Sequence, residues 1–187
     1  EELIDMCLQA QDVAPSSKRT YRRQLKQFIQ WLDETGRSFR MDELSRMDIL
    51  AYKQDLLQEK APSTVTGYLT AVRKLFSWLE AEKVYPNIAK DVKGAKRSRG
   101  FKKDILSKGQ LRDILDEINR DSLQGLRDYA LINLLARTGL RTIEISRAQI
   151  QDIRQEAGQP LLWIQGKGRQ EKDEFVTLEP EAERPIR

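Results

Sequence analysis

Two short stretches of the sequence carry the side chains best suited to chemistry on an anion. The first is TGLRTIE at 138–144, in which Arg141 follows a turn glycine and Glu144 comes three residues later. These residues could simply end one helix and begin the next, with Glu144 an exposed acid in the first turn of the second helix. They could also place a guanidinium in a pocket, where its planar and permanently charged fork can hold two oxygens of one anion.

The second stretch is GKGRQEKD at 166–173, which lies between two segments that have the alternating pattern of β-strands. Its glycines predict a hairpin turn that carries Lys167. A lysine in such a turn can be simply solvated, or it can act as a general acid and donate a proton to a leaving oxygen. The same hairpin also offers Arg169 and Lys172, so the residues alone leave the choice open.

The residue types that are missing narrow the chemistry further. The 187 residues include no histidine and a single cysteine, Cys7. A Ser-His-Asp or Cys-His catalytic site and a Cys-rich metal site are therefore excluded within these residues, and we expect no metal and no cofactor. One cysteine fits a reducing compartment, which predicts a cytoplasmic location. No apolar run approaches the roughly 20 residues of a membrane span, so no membrane partner is expected.

The N-terminal part of the chain predicts an all-helical domain over residues 1–92. Apolar residues recur there at helical spacing, most clearly in the second and fourth helices. Ser16 or Ser17 is expected to cap the second helix and Ser63 the fourth, and Gly36 is expected to end the second. The predicted helices span residues 2–11, 16–35, 47–60 and 63–83.

Residues 104–187 predict an α+β domain with a small three-stranded antiparallel sheet. Ser107 and Gln110 form a capping-box pattern at the start of a helix. The next helix, over 125–139, is so apolar that burial on most of its sides is expected. The hydrophobic period then changes to two, and the predicted strands span residues 149–153, 161–165 and 174–178.

Positive charge is clustered in two places. The first half of the 16–35 helix carries five cations and no acid before Asp33, and the segment 93–103 carries six more with no acid. Either cluster could be a solvated surface, and the second reads as a basic interdomain linker. Clustered lysine and arginine are also the pattern expected where a protein contacts nucleic-acid phosphates.

Taken together, these stretches resemble the tyrosine recombinases of the phage-integrase type. The family pattern is a buried helix ending in TGLR, an acid three residues on, and a hairpin with GKG-x-K-x-R. The matching stretches here are TGLRTIE and GKGRQEK, with Gln170 in place of the second lysine and Lys172 in place of the arginine. TYRRQLKQFIQWL and STVTGYLTAVRKLFSWL resemble two helices of the family's four-helix, SAM-like core-binding domain. The expected fold is thus mainly α, with a partial α+β catalytic domain after the linker.

The resemblance implies site-specific DNA recombination or integration by the full-length protein, through a 3′-phosphotyrosine intermediate and without a metal. It assigns Arg141 to the phosphate oxygens, Lys167 to protonation of the leaving 5′ oxygen, and Glu144 to orientation of Arg141. The implied partner is double-stranded DNA, with a homotetramer on two DNA sites for the full-length protein. The residues expected to contact DNA are Lys18, Arg19, Arg22, Arg23, Lys26, Ser63, Thr64, Thr66, Tyr68, Lys96, Arg97 and Arg99.

The family also needs a His-x-x-Arg motif and a nucleophilic tyrosine after the hairpin. The chain has no histidine, and its five tyrosines all precede Lys167. We therefore expect these residues to bind DNA, as a monomer, without cleaving it. Two alternatives stay open: a non-catalytic architectural or regulatory DNA-binding protein of the same fold, and a helical protein–protein scaffold. The scaffold predicts no salt-dependent DNA binding.

Overall fold

The computed structural model describes residues 1–37, 43–96 and 104–187. The chain divides into two compact units, unit 1 from Glu1 to Gly100 and unit 2 from Phe101 to Arg187. The predicted DNA contacts Arg97 and Arg99 lie outside the described residues. No helix in the described segments combines the length and the apolar character that crossing a bilayer requires.

Unit 1 contains the four helices that the sequence predicts, but two of them begin differently. Pro15 and Pro62 occupy the first turns of the second and fourth helices, so the predicted serine caps at Ser16 or Ser17 and at Ser63 are wrong. Proline suits this position because its fixed φ matches the helix and its missing N–H would have no partner there. The helices are α1 (Glu2–Gln9), α2 (Pro15–Glu34), α3 (Arg46–Glu59) and α4 (Pro62–Ala81).

The core of unit 1 is built on α4, against which α1, α2 and α3 all pack. Phe28 of α2 is fully buried, and its ring centroid lies 4.9 Å from that of Tyr52 on α3 and 6.3 Å from that of Phe76 on α4. Each of these rings removes a large apolar area from water. Phe28 therefore fixes the apolar side of α2 against α3 and α4, and leaves the charged side of α2 facing solvent.

The chain that leaves α4 stays packed on unit 1 as far as Ala95, which is buried. The backbone N–H of Ala95 donates to the Thr66 hydroxyl (3.2 Å), and Lys53 Nζ donates to the Lys93 carbonyl (2.9 Å). The start of the basic segment is thus held by α3 and α4. The division of the chain into residues 1–92, 93–103 and 104–187 stays a prediction.

Unit 2 has the predicted three-stranded antiparallel sheet, in the order β1–β2–β3. The capping box of Ser107 and Gln110 at the start of its first helix is also confirmed. Its regular elements are α5 (Lys108–Asp116), α6 (Leu123–Thr138), α7 (Thr142–Arg147), a 3₁₀ turn (Ile150–Asp152), β1 (Ile153–Glu156), β2 (Gln159–Ile164), β3 (Glu174–Thr177), α8 (Pro180–Glu183) and a second 3₁₀ turn (Arg184–Ile186).

Two details of unit 2 differ from the prediction. The first strand begins at Ile153, not at residue 149, because the Asp152 carboxylate accepts the backbone N–H of Gln149 (2.7 Å) and closes a 3₁₀ turn. The helix α6 is buried along one side only, since Leu126 and Leu131 are 49% and 37% exposed. Leu134 joins α6 to the core of unit 2. In the described part of the chain, the side of α6 that carries Leu126 and Leu131 stays partly exposed.

Candidate functional site

The basic side of α2 separates into paired and unpaired cations. Arg22 forms an ion pair with Asp5 of α1, and Lys26 forms one with Glu1. Arg19 and Arg23 are exposed and have no ion pair among the described residues. Since a carboxylate already neutralises Arg22 and Lys26, Arg19 and Arg23 are the cations of α2 most available to an external anion.

A polar groove of about 1010 Å³ lies between α2 and α3. Its α2 wall carries four cations and the acid Glu34, its α3 wall carries two acids, and buried tyrosines of α3 and α4 also line it. An anion entering this groove would therefore be attracted to the α2 side only. The charged and aromatic residues that line it include Arg19, Arg22, Arg23, Lys26, Asp55, Glu59, Tyr52 and Tyr68.

The other predicted DNA contacts of unit 1 have different surroundings. Ser63 and Thr64 are exposed on the first turn of α4. The Thr66 hydroxyl donates to the Pro62 carbonyl (2.9 Å) and accepts the N–H of Ala95, so it is already engaged within unit 1.

Tyr68 is only 8% exposed and Lys18 is partly buried, whereas Lys96 is exposed. Their contact with DNA stays a prediction.

In unit 2, Gly139 and Glu144 together place Arg141. Gly139 adopts the left-handed conformation (φ +67°) that ends α6, and Arg141 then stands immediately before α7. The Glu144 carboxylate accepts both the backbone N–H and the Nη1 of Arg141, each at 2.7 Å. The side chain of Glu144 is 3% exposed and that of Arg141 is 68% exposed. The pair thus caps α7 and also fixes an exposed guanidinium.

The same carboxylate connects Arg141 to the hairpin. The backbone N–H and the guanidinium of Arg141 hold the pKa of Glu144 below its usual value, and the backbone amide of Lys167 adds to this effect. The hydrogen bond and the charge of Glu144 raise the pKa of Arg141, and the charge of Glu174 at the start of β3 adds a smaller contribution. Arg141, Glu144 and the hairpin therefore form one electrostatic cluster.

The hairpin itself is a closed turn. The N–H of Arg169 donates to the Gly166 carbonyl (3.1 Å), and Gly168 has φ +86°, a conformation that favours glycine. The side-chain amide of Gln165 donates to the carbonyls of Arg169 (2.8 Å) and Gln170 (3.0 Å), which closes the neck of the loop.

The three hairpin cations have different partners. Arg169 pairs with Asp173 (2.6 Å) and Glu174 (2.9 Å), and Lys172 pairs with Asp152. Lys167 is exposed, and its side chain has no ion pair among the described residues. Of the three candidates that the sequence left open, Lys167 is thus the one whose amine is free to meet a ligand.

Family models match each unit separately. The model for the N-terminal SAM-like domain of phage integrases matches residues 1–83, and the model for the phage integrase family matches residues 104–184. Together they account for most of the chain. The chain belongs to the phage integrase family. The resemblance to tyrosine recombinases that TGLRTIE and the GKG hairpin indicated is therefore confirmed.

Curated relatives in this family are longer than the chain. It is 24% identical over 180 residues to tyrosine recombinase XerD of Listeria monocytogenes, and 28% identical over 174 residues to tyrosine recombinase XerD of Vibrio vulnificus. These alignments cover 95% and 92% of the chain but 59% and 55% of the two relatives. The chain thus spans a little over half the length of the XerD recombinases it matches.

Solved structures share the fold. The XerH site-specific recombinase bound to a palindromic difH substrate, in a post-cleavage complex, has a TM-score of 0.67 at 22% identity and covers 95% of this chain and 52% of its own. The pre-cleavage complex of XerH with difH gives a TM-score of 0.64 at 20% identity. The likeness shows a common fold of phage integrase type.

Sequence reasoning missed the acids around the hairpin. The predicted strand 149–153 includes Asp152, and the local patterns give no sign that Arg169 pairs with Asp173 and Glu174. A weak signal was present, because Asp152 follows Gln149 at the three-residue spacing of a capped turn. The contact between Asp152 and Lys172 joins residues 20 apart, and helix and strand periods carry no information on such pairs.

The Arg141–Glu144 pair predicts an acid-sensitive contribution to the stability of unit 2. The pKa of Glu144 is lowered in the folded chain, so its stabilising effect is complete above the ordinary value of 4.5 and is lost as pH falls through the lowered value. Glu144→Gln should therefore lower the melting temperature of unit 2 at pH 7. The difference from wild type should close as pH falls below 4.5 and Glu144 becomes protonated.

Trp163, which lies in β2, reports on this unit when its indole N–H signal is followed by NMR through a thermal melt. Glu171→Gln is the matched control, because Glu171 is an exposed acid in the same unit. A Glu144→Gln melting temperature equal to wild type at pH 7 would show that the pair contributes nothing to folding.

Proposed function

We propose that this chain provides the DNA-binding and phosphate-activating part of a tyrosine recombinase, which cuts and rejoins DNA through a 3′-phosphotyrosine intermediate. The observation that carries the proposal is the cluster of Arg141, Glu144 and the hairpin, in which Lys167 has the free amine. Membership of the phage integrase family supports assigning this cluster to phosphoryl transfer.

Arg141 has the geometry needed to hold a phosphodiester. Glu144 occupies Nη1 and the backbone N–H of Arg141, and the remaining guanidinium donors stay exposed. A guanidinium held in this way can donate to two phosphate oxygens as negative charge builds on them. Because Glu144 fixes its orientation before the substrate arrives, little reorganisation is needed at the transition state, which is the condition for strong electrostatic stabilisation.

Lys167 is suited to act as the general acid. In the proposed step a deprotonated tyrosine oxygen attacks phosphorus, the bond from phosphorus to the 5′ oxygen breaks, and the Lys167 ammonium gives its proton to that oxygen. The products are a 3′-phosphotyrosine, a free 5′ hydroxyl and a neutral lysine. The five tyrosines of the chain all precede Lys167, and Tyr52 and Tyr68 are buried in unit 1. The nucleophilic tyrosine is therefore a residue other than these five.

Unit 1 contributes binding to double-stranded DNA. Arg19 and Arg23 are exposed and unpaired within the described chain, and exposed Ser63 and Thr64 offer hydroxyls at the start of α4. Phosphate contacts of this kind supply affinity but no base sequence. We further propose a cytoplasmic protein whose full-length form acts as a homotetramer on two DNA sites, with the chain itself a monomer.

Lysine footprinting on duplex DNA tests the proposal on the chain as it is. Amine acetylation, read by peptide mass spectrometry, should be suppressed by duplex at Lys18, Lys96 and Lys167. Lys83 and Lys90, which are exposed in the segment after α4, are the matched controls and should react equally with and without DNA. Protection confined to the controls, or equal protection at every lysine, would contradict the proposed contacts.

A non-catalytic DNA-binding role on the same fold is the second candidate, and the exposed cations Arg19 and Arg23 of unit 1 would be enough for it. It predicts the same footprint at Lys18 and Lys96 without a function for Lys167. The two candidates separate when the full-length protein is incubated with nicked duplex and examined on a denaturing gel. A covalent protein–DNA adduct that is lost in Arg141→Ala supports the recombinase. Failure of the wild type to form an adduct supports the non-catalytic role.

A further inference from the structure

The hairpin between β2 and β3 has a returning arm, residues 171–173, that leads into β3. This arm is tied to a part of unit 2 that is distant in sequence. Lys172 Nζ donates to Asp152 Oδ2, across 20 residues of sequence. The Asp152 side chain is 8% exposed and that of Lys172 is 26% exposed, so the contact is largely shielded from water. Ion pairs in such surroundings are screened less by salt than exposed ones.

Asp152 is itself immobilised, which makes it an anchor. The same oxygen accepts the backbone N–H of Gln149 (2.7 Å) in the 3₁₀ turn that leads into β1. Burial raises the pKa of Asp152, but its hydrogen bonds to Lys172 and to the Gln149 N–H outweigh burial, and the charge of Arg154 adds to them. The carboxylate is therefore charged at neutral pH, and the Gln149 N–H holds it in the turn.

The loop between the anchor and Lys167 is internally closed. Gln165 bridges to the carbonyls of Arg169 and Gln170, and the N–H of Arg169 donates to the Gly166 carbonyl. Because these hydrogen bonds close the loop, we expect a displacement of the returning arm at Lys172 to move Lys167 as well. At that end, the backbone amide of Lys167 helps to lower the pKa of Glu144, the partner of Arg141.

We propose that Lys172 is a positioning residue, whose ion pair with Asp152 holds the hairpin so that Lys167 stays beside the Arg141–Glu144 pair. The inference rests on the proposed function, in which Lys167 is the proton donor, and deepens it by giving the second hairpin lysine a separate task. Arginine, which occupies the Lys172 position in the family pattern, can make the same contact with a carboxylate.

Backbone hydrogen exchange, measured by NMR at pH 7, tests the tether directly. Lys172→Met keeps the length of the side chain and removes its charge, and should speed exchange of the Lys167 amide by roughly tenfold or more, as expected when a local contact opens. Lys172→Arg should restore the wild-type rate. Glu171→Gln, which changes the charge of the neighbouring exposed residue, should have no effect.

The pH dependence of exchange at the Lys167 amide tests whether Asp152 is the partner of Lys172. Asp152→Asn should show the same fast exchange at Lys167 at pH 7. Because the pKa of Asp152 is lowered, the wild-type tether is complete above the ordinary value of 3.8 and is lost as pH falls through the lowered value. The difference between wild type and Asp152→Asn should therefore close in acid. Lys172 and Arg154 are the cations that face Asp152, and Glu144 titrates in both proteins.

The footprint on DNA separates the failure of this inference from the failure of the proposed function. Lys172→Met should weaken the protection of Lys167 by duplex and leave that of Lys18 unchanged, with rescue by Lys172→Arg. Unchanged exchange and unchanged protection at Lys167 in Lys172→Met would overturn the tether. Absence of Lys167 protection in the wild-type chain would instead overturn the function assigned to Lys167.

Discussion

Replacing both Arg19 and Arg23 by glutamate is expected to weaken binding to duplex DNA by about 100-fold or more at moderate salt. The two side chains are exposed on α2 and have no ion pair in the described part of the chain. Each reversal removes a cation that can displace counterions from a phosphate and adds a repulsive charge in its place. With the neutral replacement Arg19→Gln and Arg23→Gln, the slope of log K against log salt concentration should fall by about 2.

Fluorescence anisotropy of a labelled duplex at several salt concentrations measures both quantities. Lys83→Glu with Lys90→Glu changes the net charge by the same amount at exposed positions after α4, and should weaken binding far less. Arg22→Gln should fall between the two, because Asp5 already neutralises Arg22. Equal losses for the α2 pair and the control pair would mean that net charge alone, and not this side of α2, governs binding.

Phe28→Ala is expected to lower the free energy of unfolding of unit 1 by about 3–5 kcal/mol. Phe28 has no exposed surface, and it contacts the rings of Tyr52 and Phe76 at the junction of three helices. Removing the ring leaves a cavity that rigid neighbours cannot fill. Because the ring also seats α2 on the core, the variant should lose DNA binding at temperatures where the wild type still binds.

Urea unfolding followed by tryptophan fluorescence gives the measurement, since the ring of Phe28 lies beside that of Trp31 (6.4 Å between centroids). Phe175→Ala is the control within unit 2, where the side chain is 53% exposed and the cost should be less than about 1.5 kcal/mol. A loss below about 1 kcal/mol for Phe28→Ala would show that the helical core does not depend on this ring cluster.

The elements that the sequence predicted well are those with strong local signals. The helical period of α2 and α4, the capping box at Ser107 and the glycine-flanked hairpin all depend on residues a few positions apart. The errors have local causes too. Pro15 and Pro62 begin helices where nearby serines suggested caps, and the closure of a 3₁₀ turn by Asp152 took residues from a predicted strand.

Partners that are distant in sequence could not be read from periodicity. The sequence shows five cations at the start of α2, but not that Asp5 of α1 and the N-terminal Glu1 neutralise Arg22 and Lys26. It shows three hairpin cations, but not that Arg169 and Lys172 are paired and Lys167 is left free. Which charges remain available to a ligand is a tertiary property, and it decides which of the candidate residues the experiments should change first.

The most direct test of the account is a titration of the unmodified chain against duplex DNA and against one of its single strands, over a range of salt concentrations. We expect binding to the duplex that weakens linearly in log K with log salt, because phosphate contacts release counterions. The duplex should be preferred, since the cations of α2 lie on a rigid helix. No binding to the duplex at the lowest salt concentration would contradict the proposal that unit 1 is a DNA-binding domain.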